Sequence, residues 1–436
     1  MRIEIERFGP ISSFVCDLDK DLIVIYGNNN IGKSYSMQII YLLLKSFIGK
    51  HGEFYRCVPR FLLDNILKEE LQNIKYDLKS INEKKIVIII EGALCRFLSE
   101  IIFPDFINSC YNTFGNIAKT LEKSPVIRIV CNEFEFEINL KQKKIYVKIT
   151  EKIHLDIKKT ENYEEVESML LEETKKKYSS IKEKIYEKCW EVYFLPASRS
   201  GIYSGMNAFG AIIAELSKNR SVLTKKIELP GISEPIADYF ISLSNIKPGK
   251  NKDLEEFYTD IEENILKGKV SFDEGKNALI YRPVNVDADF EMTEVSSMVS
   301  EIAPVVAFLK FIIKKQDSRA DIRKPVLFIE EPEAHLHPQN QVALMEVFAK
   351  LIQNNVKLVM SSHSNYIFNK LNNLVLGKKL DYNVYQPVIL QEEQEGSVSK
   401  LIEIDELGAE DQNFMDVSEQ LYYEREDIIQ KLSMED

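Results

Sequence analysis

The chain has 436 residues, 45% of them hydrophobic, with 56 basic against 68 acidic side chains and a net charge of −12. That length can bury a large core, and the acidic balance excludes non-specific attraction to nucleic acid as a property of the whole molecule. Six cysteines (Cys16, Cys57, Cys95, Cys110, Cys131 and Cys189) lie scattered without a CxxC pair, which favours reduced thiols over a disulfide framework or a zinc site.

In chain order, Met1 leads straight into the alternating RIEIERF of residues 2–8, and no apolar run approaches the roughly 20 residues of a membrane span. No signal peptide and no membrane contact are therefore expected, and the chain is expected to be cytoplasmic. A second strand is expected over 12–17. Leu22 to Tyr26 then has the length and β-branched content of a buried parallel strand, followed by a mostly apolar helix carrying Met37, Ile39, Ile40 and Leu42 to Leu44. Between them Gly27, Gly32, Lys33 and Ser34 complete GxxxxGK[ST]. The loop Gly27, Asn28, Asn29, Asn30, Ile31, Gly32, Lys33, Ser34 and Tyr35 is a candidate phosphate cradle. Its glycines let backbone N–H groups converge on phosphate oxygens at a helix N-terminus, and asparagine tolerates positive φ. Lys33 would bridge the β- and γ-phosphates of a nucleotide, and Ser34 would ligate Mg2+.

Residues 36–125 have a mainly helical pattern, interrupted by the β-like run Lys85 to Ile90. Phe134, Phe136, Ile138 and Leu140 alternate with polar residues, KQKK turns the chain, and Ile145, Val147 and Ile149 alternate again. That is the pattern of a hairpin with one wet face. Seven lysines (Lys141, Lys143, Lys144, Lys148, Lys152, Lys158, Lys159) face only Glu151 and Asp156 there, a surface open to a DNA backbone, to an acidic protein partner, or simply to solvent. A charged helix is expected over 163–188, too short for a supercoiled arm. The segment PVLFIEEPEAHLHP, residues 325–338, delivers two carboxylates at the end of a buried strand, where α/β sheets bind ligands. Glu330 would hold Mg2+ and Glu331 would orient or deprotonate an attacking water. His335 and His337, two apart with no third ligand nearby, read as turn and interface residues. In KLVMSSHSNYIFNKL, residues 357–371, Ser361 to Ser364 again join a strand to a helix, and His363 is placed to hydrogen-bond a terminal phosphate.

GNNNIGKS, FIEEPEAHLHP and MSSHSNYIFNKL together resemble the OLD-like ABC-type ATPases, relatives of RecF and SMC heads, over nearly the whole chain. The resemblance implies an α/β fold with a parallel P-loop sheet, an antiparallel β lobe and helical insertions. The whole of 1–436 would then form one head, with insertions at about 47–125 and 203–268 and an acidic C-terminal helix at 414–432. It also implies ATP and Mg2+, with nucleotide sandwiched between two heads of a homodimer or higher homo-oligomer. Glu330 takes the place of the Walker B acid, Glu331 that of the catalytic residue and His363 that of the switch histidine. EVSSMVSEIAPVVAFLKF, residues 294–311, is similar to the signature region but lacks its glycine; Ser297, beside Ser296, is the residue expected to reach nucleotide across the dimer. YFLPASRSGIY, residues 193–203, resembles a motif near the Q-loop and makes Arg199 a candidate for phosphate or a neighbouring subunit, or a structural residue.

Relatives of the OLD nuclease type carry a further Toprim domain. The stretch after His363 reads only as strands at 383–390 and 398–404 and the acidic helix, so catalysis is expected to be confined to ATP hydrolysis. The resemblance implies a Mg-dependent ATPase that senses or scaffolds for a separate nuclease or toxin in antiphage defence. A RecF-like repair ATPase and a nucleotide-gated scaffold are the alternatives.

Overall fold

The computed structural model describes residues 1–48, 60–73, 83–115, 118–151, 153, 163–189, 191–203, 205, 231–247, 249–313, 324–409 and 422–428. Among the described residues, eleven strands form one mixed sheet. In chain order they are β1 (Arg2–Phe8), β2 (Ile11–Asp17), β3 (Leu22–Tyr26), β4 (Val126–Val130), β5 (Phe134–Asn139), β6 (Lys144–Ile149) and β7 (Val192–Leu195), then β11 (Val326–Glu330), β12 (Lys357–Ser362), β13 (Tyr385–Glu393) and β14 (Gly396–Leu401). Across the sheet the order is β6-β5-β4-β1-β2-β14-β13-β3-β12-β11-β7. β7, β11, β12, β3 and β13 run parallel, β6, β5, β4, β1 and β2 form an antiparallel lobe, and β14 joins the two. The α/β class expected from the sequence, with a parallel P-loop sheet beside an antiparallel lobe, is the observed one.

Alternation along the parallel strands explains the layers. Ile23 and Ile25 of β3, Phe328 of β11 and Val359 of β12 point into one core; Leu22, Val24, Leu327, Ile329, Leu358 and Met360 point into the other. A strand flanked by two cores must be apolar at every position, and β3, β11 and β12 are buried throughout. The first core is covered by α1 (Lys33–Ile48), α2 (Arg60–Asn73), α3 (Glu83–Phe114), α4 (Ala118–Glu122) and α5 (Tyr163–Lys188). The second is covered by α6 (Glu234–Ser244), α7 (Glu255–Asp260), α8 (Ser297–Ala307), α9 (Pro338–Gln353) and α10 (Asn365–Leu376), together with a small sheet of β8 (Gly268–Asp273), β9 (Ala278–Pro283) and β10 (Phe290–Glu291).

The run Lys85 to Ile90 does not interrupt the helical region: α3 passes through it without a break. Ile86, Ile89, Ile90, Ala93 and Phe97 are all buried along one helical face, so packing overrides the β-branched composition. The same helix solves an edge problem. β6 ends the large sheet, and its Ile145, Val147 and Ile149 N–H groups donate to Ser99 Oγ (2.9 Å), Cys95 Sγ (3.0 Å) and Glu91 Oε1 (2.7 Å). Three α3 side chains spaced one turn apart thus occupy donors that an open edge would offer to another strand.

The hairpin β5–β6, the helix 163–188 and the strand–helix joint after Lys357 stand where the sequence places them. Of the insertions and the C-terminal helix, residues 49–59, 74–82, 116–117, 204, 206–230, 248, 414–421 and 429–432 lie outside the described residues; 422–428 is helical. No described helix is long and apolar enough to cross a membrane.

Candidate active site

Strand register brings the three sequence landmarks together. Tyr26, the last residue of β3, pairs with Ser362 of β12, and Ser361 beside it pairs with Glu330 of β11. Neighbouring strands lie about 4.8 Å apart, so the phosphate loop, the carboxylate pair and the serine–histidine turn emerge side by side. They wall a cavity of ≈ 500 Å³ whose lining includes Asn29, Asn30, Gly32, Lys33, Ser34, Tyr35, Glu331 and His363. Pro10, from the β1–β2 turn, completes it.

The loop needs its glycines for two reasons. Gly27 has φ 139°, and a Cβ there would lie 2.3 Å from Ile31 Cδ1 and 2.7 Å from the Leu390 carbonyl; Gly32 has φ 101°. Asn30, at φ 65°, takes the left-handed conformation that asparagine tolerates. Lys33 opens α1 and is nearly buried, its Nζ donating to the carbonyls of Gly27 (2.8 Å) and Asn28 (2.7 Å). Burial pushes its ammonium pKa down, while Glu331 and Glu333 draw it back up. Lys33 is thus tethered to the loop that walls the cavity.

Glu330 and Glu331 are adjacent in sequence and differ in every other respect. The Glu330 carboxylate is buried; Gln38 Nε2 donates to its Oε1 (3.2 Å) and the Ala197 N–H to its Oε2 (3.1 Å). Burial raises its pKa, against hydrogen bonds from Ala197, Ser34 and Gln38. Ser34 and Glu330 therefore supply two neighbouring oxygen donors, a set suited to a hard cation such as Mg2+, which binds through one or two protein oxygens plus phosphate and water. Glu331 is half exposed at the cavity, with φ 45°. Its N–H donates to the Ser361 carbonyl (3.1 Å). A left-handed non-glycine residue costs about 1–2 kcal/mol, so surrounding contacts must hold it there. His363 Nδ1 lies 4.0 Å from Glu331 Oε1 and 3.8 Å from Glu333 Oε1.

Arg199 is not on the cavity. It is fully buried, as is its ion-pair partner Glu301. Its Nη1 donates to the carbonyls of Glu330 (2.8 Å) and Pro196 (3.1 Å), Nη2 to that of Glu331 (3.3 Å) and Nε to that of Glu301 (2.9 Å). The expectation of Arg199 as a phosphate or neighbouring-subunit contact gives way: its donors are committed behind the carboxylates, where neither can reach. Ser296 caps α8 by accepting from the Val299 N–H (3.5 Å), and Ser297, the first residue of that helix, is exposed and not on the cavity wall of its own chain. His335 sits in a turn at φ 59°, and His337 caps α9 by accepting from the Gln339 N–H.

Three neighbours escape sequence reading. Gln38 lies four residues beyond Ser34 on α1, so helical spacing could have found it. Glu333 belongs to the same motif as Glu330 and Glu331. Its Oε1 accepts from Ser362 Oγ (2.8 Å) and the His363 N–H (2.9 Å), tying the ends of β11 and β12 together, while its buried Oε2 has no hydrogen-bond partner among the described residues. Glu301 lay inside an apolar helix pattern with nothing to mark it.

A phosphate loop at the head of a parallel sheet, facing carboxylates from the next strands but one, defines a P-loop nucleotide site. Residues 1–368 match the model of the AAA ATPase domain family. The chain belongs to that family and is an ATP-binding, ATP-hydrolysing enzyme. No curated protein matches it. Among solved structures it is similar to an SMC head bound to the C-terminal winged-helix domain of ScpA (9% identity, TM-score 0.37, 93% of this chain and 97% of that one). It is likewise similar to the SMC head domain from Thermotoga maritima (10%, TM-score 0.37, 92% and 98%).

Proposed function

We propose that the cavity binds ATP with Mg2+ in the ABC manner, and that its hydrolysis drives a sensor or scaffold acting on a separate effector, a nuclease or toxin, in antiphage defence. The observation that carries the catalytic part is the meeting of Lys33, Ser34, Glu331 and His363 on one wall, from three strand ends. Loop N–H groups and Lys33 hold the β- and γ-phosphates; Ser34 and Glu330 hold the cation, which when bound neutralises phosphate charge. Glu331 orients the attacking water and accepts its proton, and the exposed His363 ring donates to the terminal phosphate. Ser297, exposed at the start of α8, supplies its hydroxyl to the nucleotide of a second copy.

Support for the effector role comes from the three motifs and their resemblance to OLD-like ATPases. The wet face of the antiparallel lobe favours a protein partner over DNA. There Glu135 pairs across strands with Lys148, and Arg128 bridges Glu137 (2.9 Å) and Glu6. Charges of both signs alternate on that face, and Lys152, Lys158 and Lys159 lie outside the described residues.

The catalytic reading is tested with Glu331→Gln: ATP binding stays and turnover falls at least about tenfold, because the phosphate cradle is untouched. Wild-type turnover in that variant rejects Glu331 as the base. Native mass spectrometry of the purified complex with and without ATP tests the assembly. The expected result is nucleotide-dependent association of two or more copies; a single copy in both conditions rejects the contact from Ser297.

A further inference from the structure

We infer that Arg199 is a positioning residue for hydrolysis, which holds Glu331 in place and links it to the helix that begins at Ser297. The inference rests on Glu331 being the base and deepens that reading.

Glu331 keeps a left-handed backbone at the end of a fully buried strand. Hydrogen bonds fix its main chain on both sides: Ser361 takes its N–H, its carbonyl accepts from the Ala334 N–H (3.0 Å) and from Arg199 Nη2, and Arg199 Nη1 holds the carbonyl of Glu330 just before it. One rigid planar guanidinium thus grips both peptides that aim the Glu331 side chain into the cavity. A lysine at this place would carry the charge without the fork.

The other end of the same group is fastened to α8. Glu301 accepts from the Arg199 N–H (3.1 Å), the Ser200 N–H (3.1 Å) and Ser200 Oγ (2.7 Å), and its own carbonyl accepts from Arg199 Nε (2.9 Å). Glu301 lies one helical turn after Ser297. A displacement of the α8 N-terminus, such as docking against a second copy would impose, is therefore carried to the Glu331 peptide through a continuous set of buried hydrogen bonds. Arg199 itself bonds to no residue of the phosphate loop, and the link to the loop runs only through the Glu330 carboxyl and Ser34, so a defect at Glu331 should show in hydrolysis more than in nucleotide affinity.

The experiment compares steady-state ATP hydrolysis of the full chain as wild type, Arg199→Lys, Glu331→Gln and the double variant, with thermal melts of each. Arg199→Lys is expected to lower kcat at least about tenfold with KM for ATP within about twofold. In the double variant turnover should stay within about twofold of Glu331→Gln alone, because a residue that acts through Glu331 has nothing left to position. A merely structural role predicts instead a multiplied loss, or a KM rising with the melt. Either result overturns the inference, as does wild-type kcat in Arg199→Lys beside a slow Glu331→Gln. Wild-type turnover in Glu331→Gln overturns both this inference and the assignment of the base. Should Arg199→Lys fail to fold, Ser200→Ala removes one hydrogen bond from Glu301: a fall in kcat of about two- to fivefold at unchanged KM supports the relay, and an unchanged kcat rejects it.

Discussion

β3, β11 and β12 are buried at every position, whereas β5 and β6, in the same sheet, alternate buried and solvated residues from end to end. Two cores press on the first group and one on the second. The consequence reaches the backbone: the carboxyl ends of the parallel strands hold Gly27 at φ 139°, Asn30 at 65° and Glu331 at 45°, close to one another. Conformations of that kind persist only where the surroundings over-determine them. The antiparallel lobe spends its polar groups on ion pairs such as Arg128 with Glu6 and Glu137, half in water, where each is worth about 0–1 kcal/mol. Rigidity is concentrated where phosphate chemistry needs it, and the lobe is left tolerant.

The largest effect expected from breaking this contrast is at the phosphate loop. Lys33→Ala removes the cation that the loop carbonyls hold over the cavity, and ATP binding measured by calorimetry should be lost, with fold and melting behaviour kept. Retained affinity would show that the loop N–H groups suffice alone.

Next in size is complementation between copies. A mixture of Lys33→Ala and Ser297→Arg chains should regain hydrolysis that neither variant shows by itself, since one composite site per pair then has both an intact loop and an intact Ser297. The readout is turnover against mixing ratio, and no recovery at any ratio would confine the site to one chain.

A smaller effect concerns stability. Burial raises the Glu330 carboxyl pKa in the folded protein above its unfolded value. Its contribution to stability is therefore fully present below the unfolded pKa and lost as pH rises through the folded one. At neutral pH the ionised group is a liability, so Glu330→Gln in metal-free buffer should raise Tm by about 1–2 °C. The gap should close as pH falls below about 4, where the carboxyl becomes mostly protonated in both states. A lower Tm for the variant at neutral pH would mean that the hydrogen bonds from Ala197, Ser34 and Gln38 outweigh desolvation.

The smallest effect is expected in the lobe. Changing Lys143, Lys144 and Lys148 together to Glu should leave DNA binding unaltered at two salt concentrations, because these side chains share their face with glutamates. A salt-sensitive affinity present in the wild type and absent from the variant would restore DNA as the partner of this surface.

Local pattern was enough for much of this molecule. GNNNIGKS between a β-branched run and an apolar helix specifies a phosphate loop, since glycine alone readily takes φ 139° and 101° and asparagine tolerates the left-handed region well, and the alternation from Phe134 to Ile149 on either side of the KQKK turn specifies a hairpin with one wet face. The apolar runs at 22–26, 326–330 and 357–362 announce strands buried on both sides. Each of these is a statement about neighbours in sequence. What surrounds the carboxylates is not. Lys85 to Ile90 has strand composition and becomes helix because α3 must cover both a core and the β6 edge. Arg199 carries the same charge whether it meets phosphate or protein; only the convergence of β7, β11 and α8 put its guanidinium out of reach of solvent and against four carbonyl oxygens. Glu301 and Glu333 were invisible for the same reason. A buried carboxylate is tolerable only beside donors supplied by distant segments, and the positions of those segments exist only once the sheet has formed.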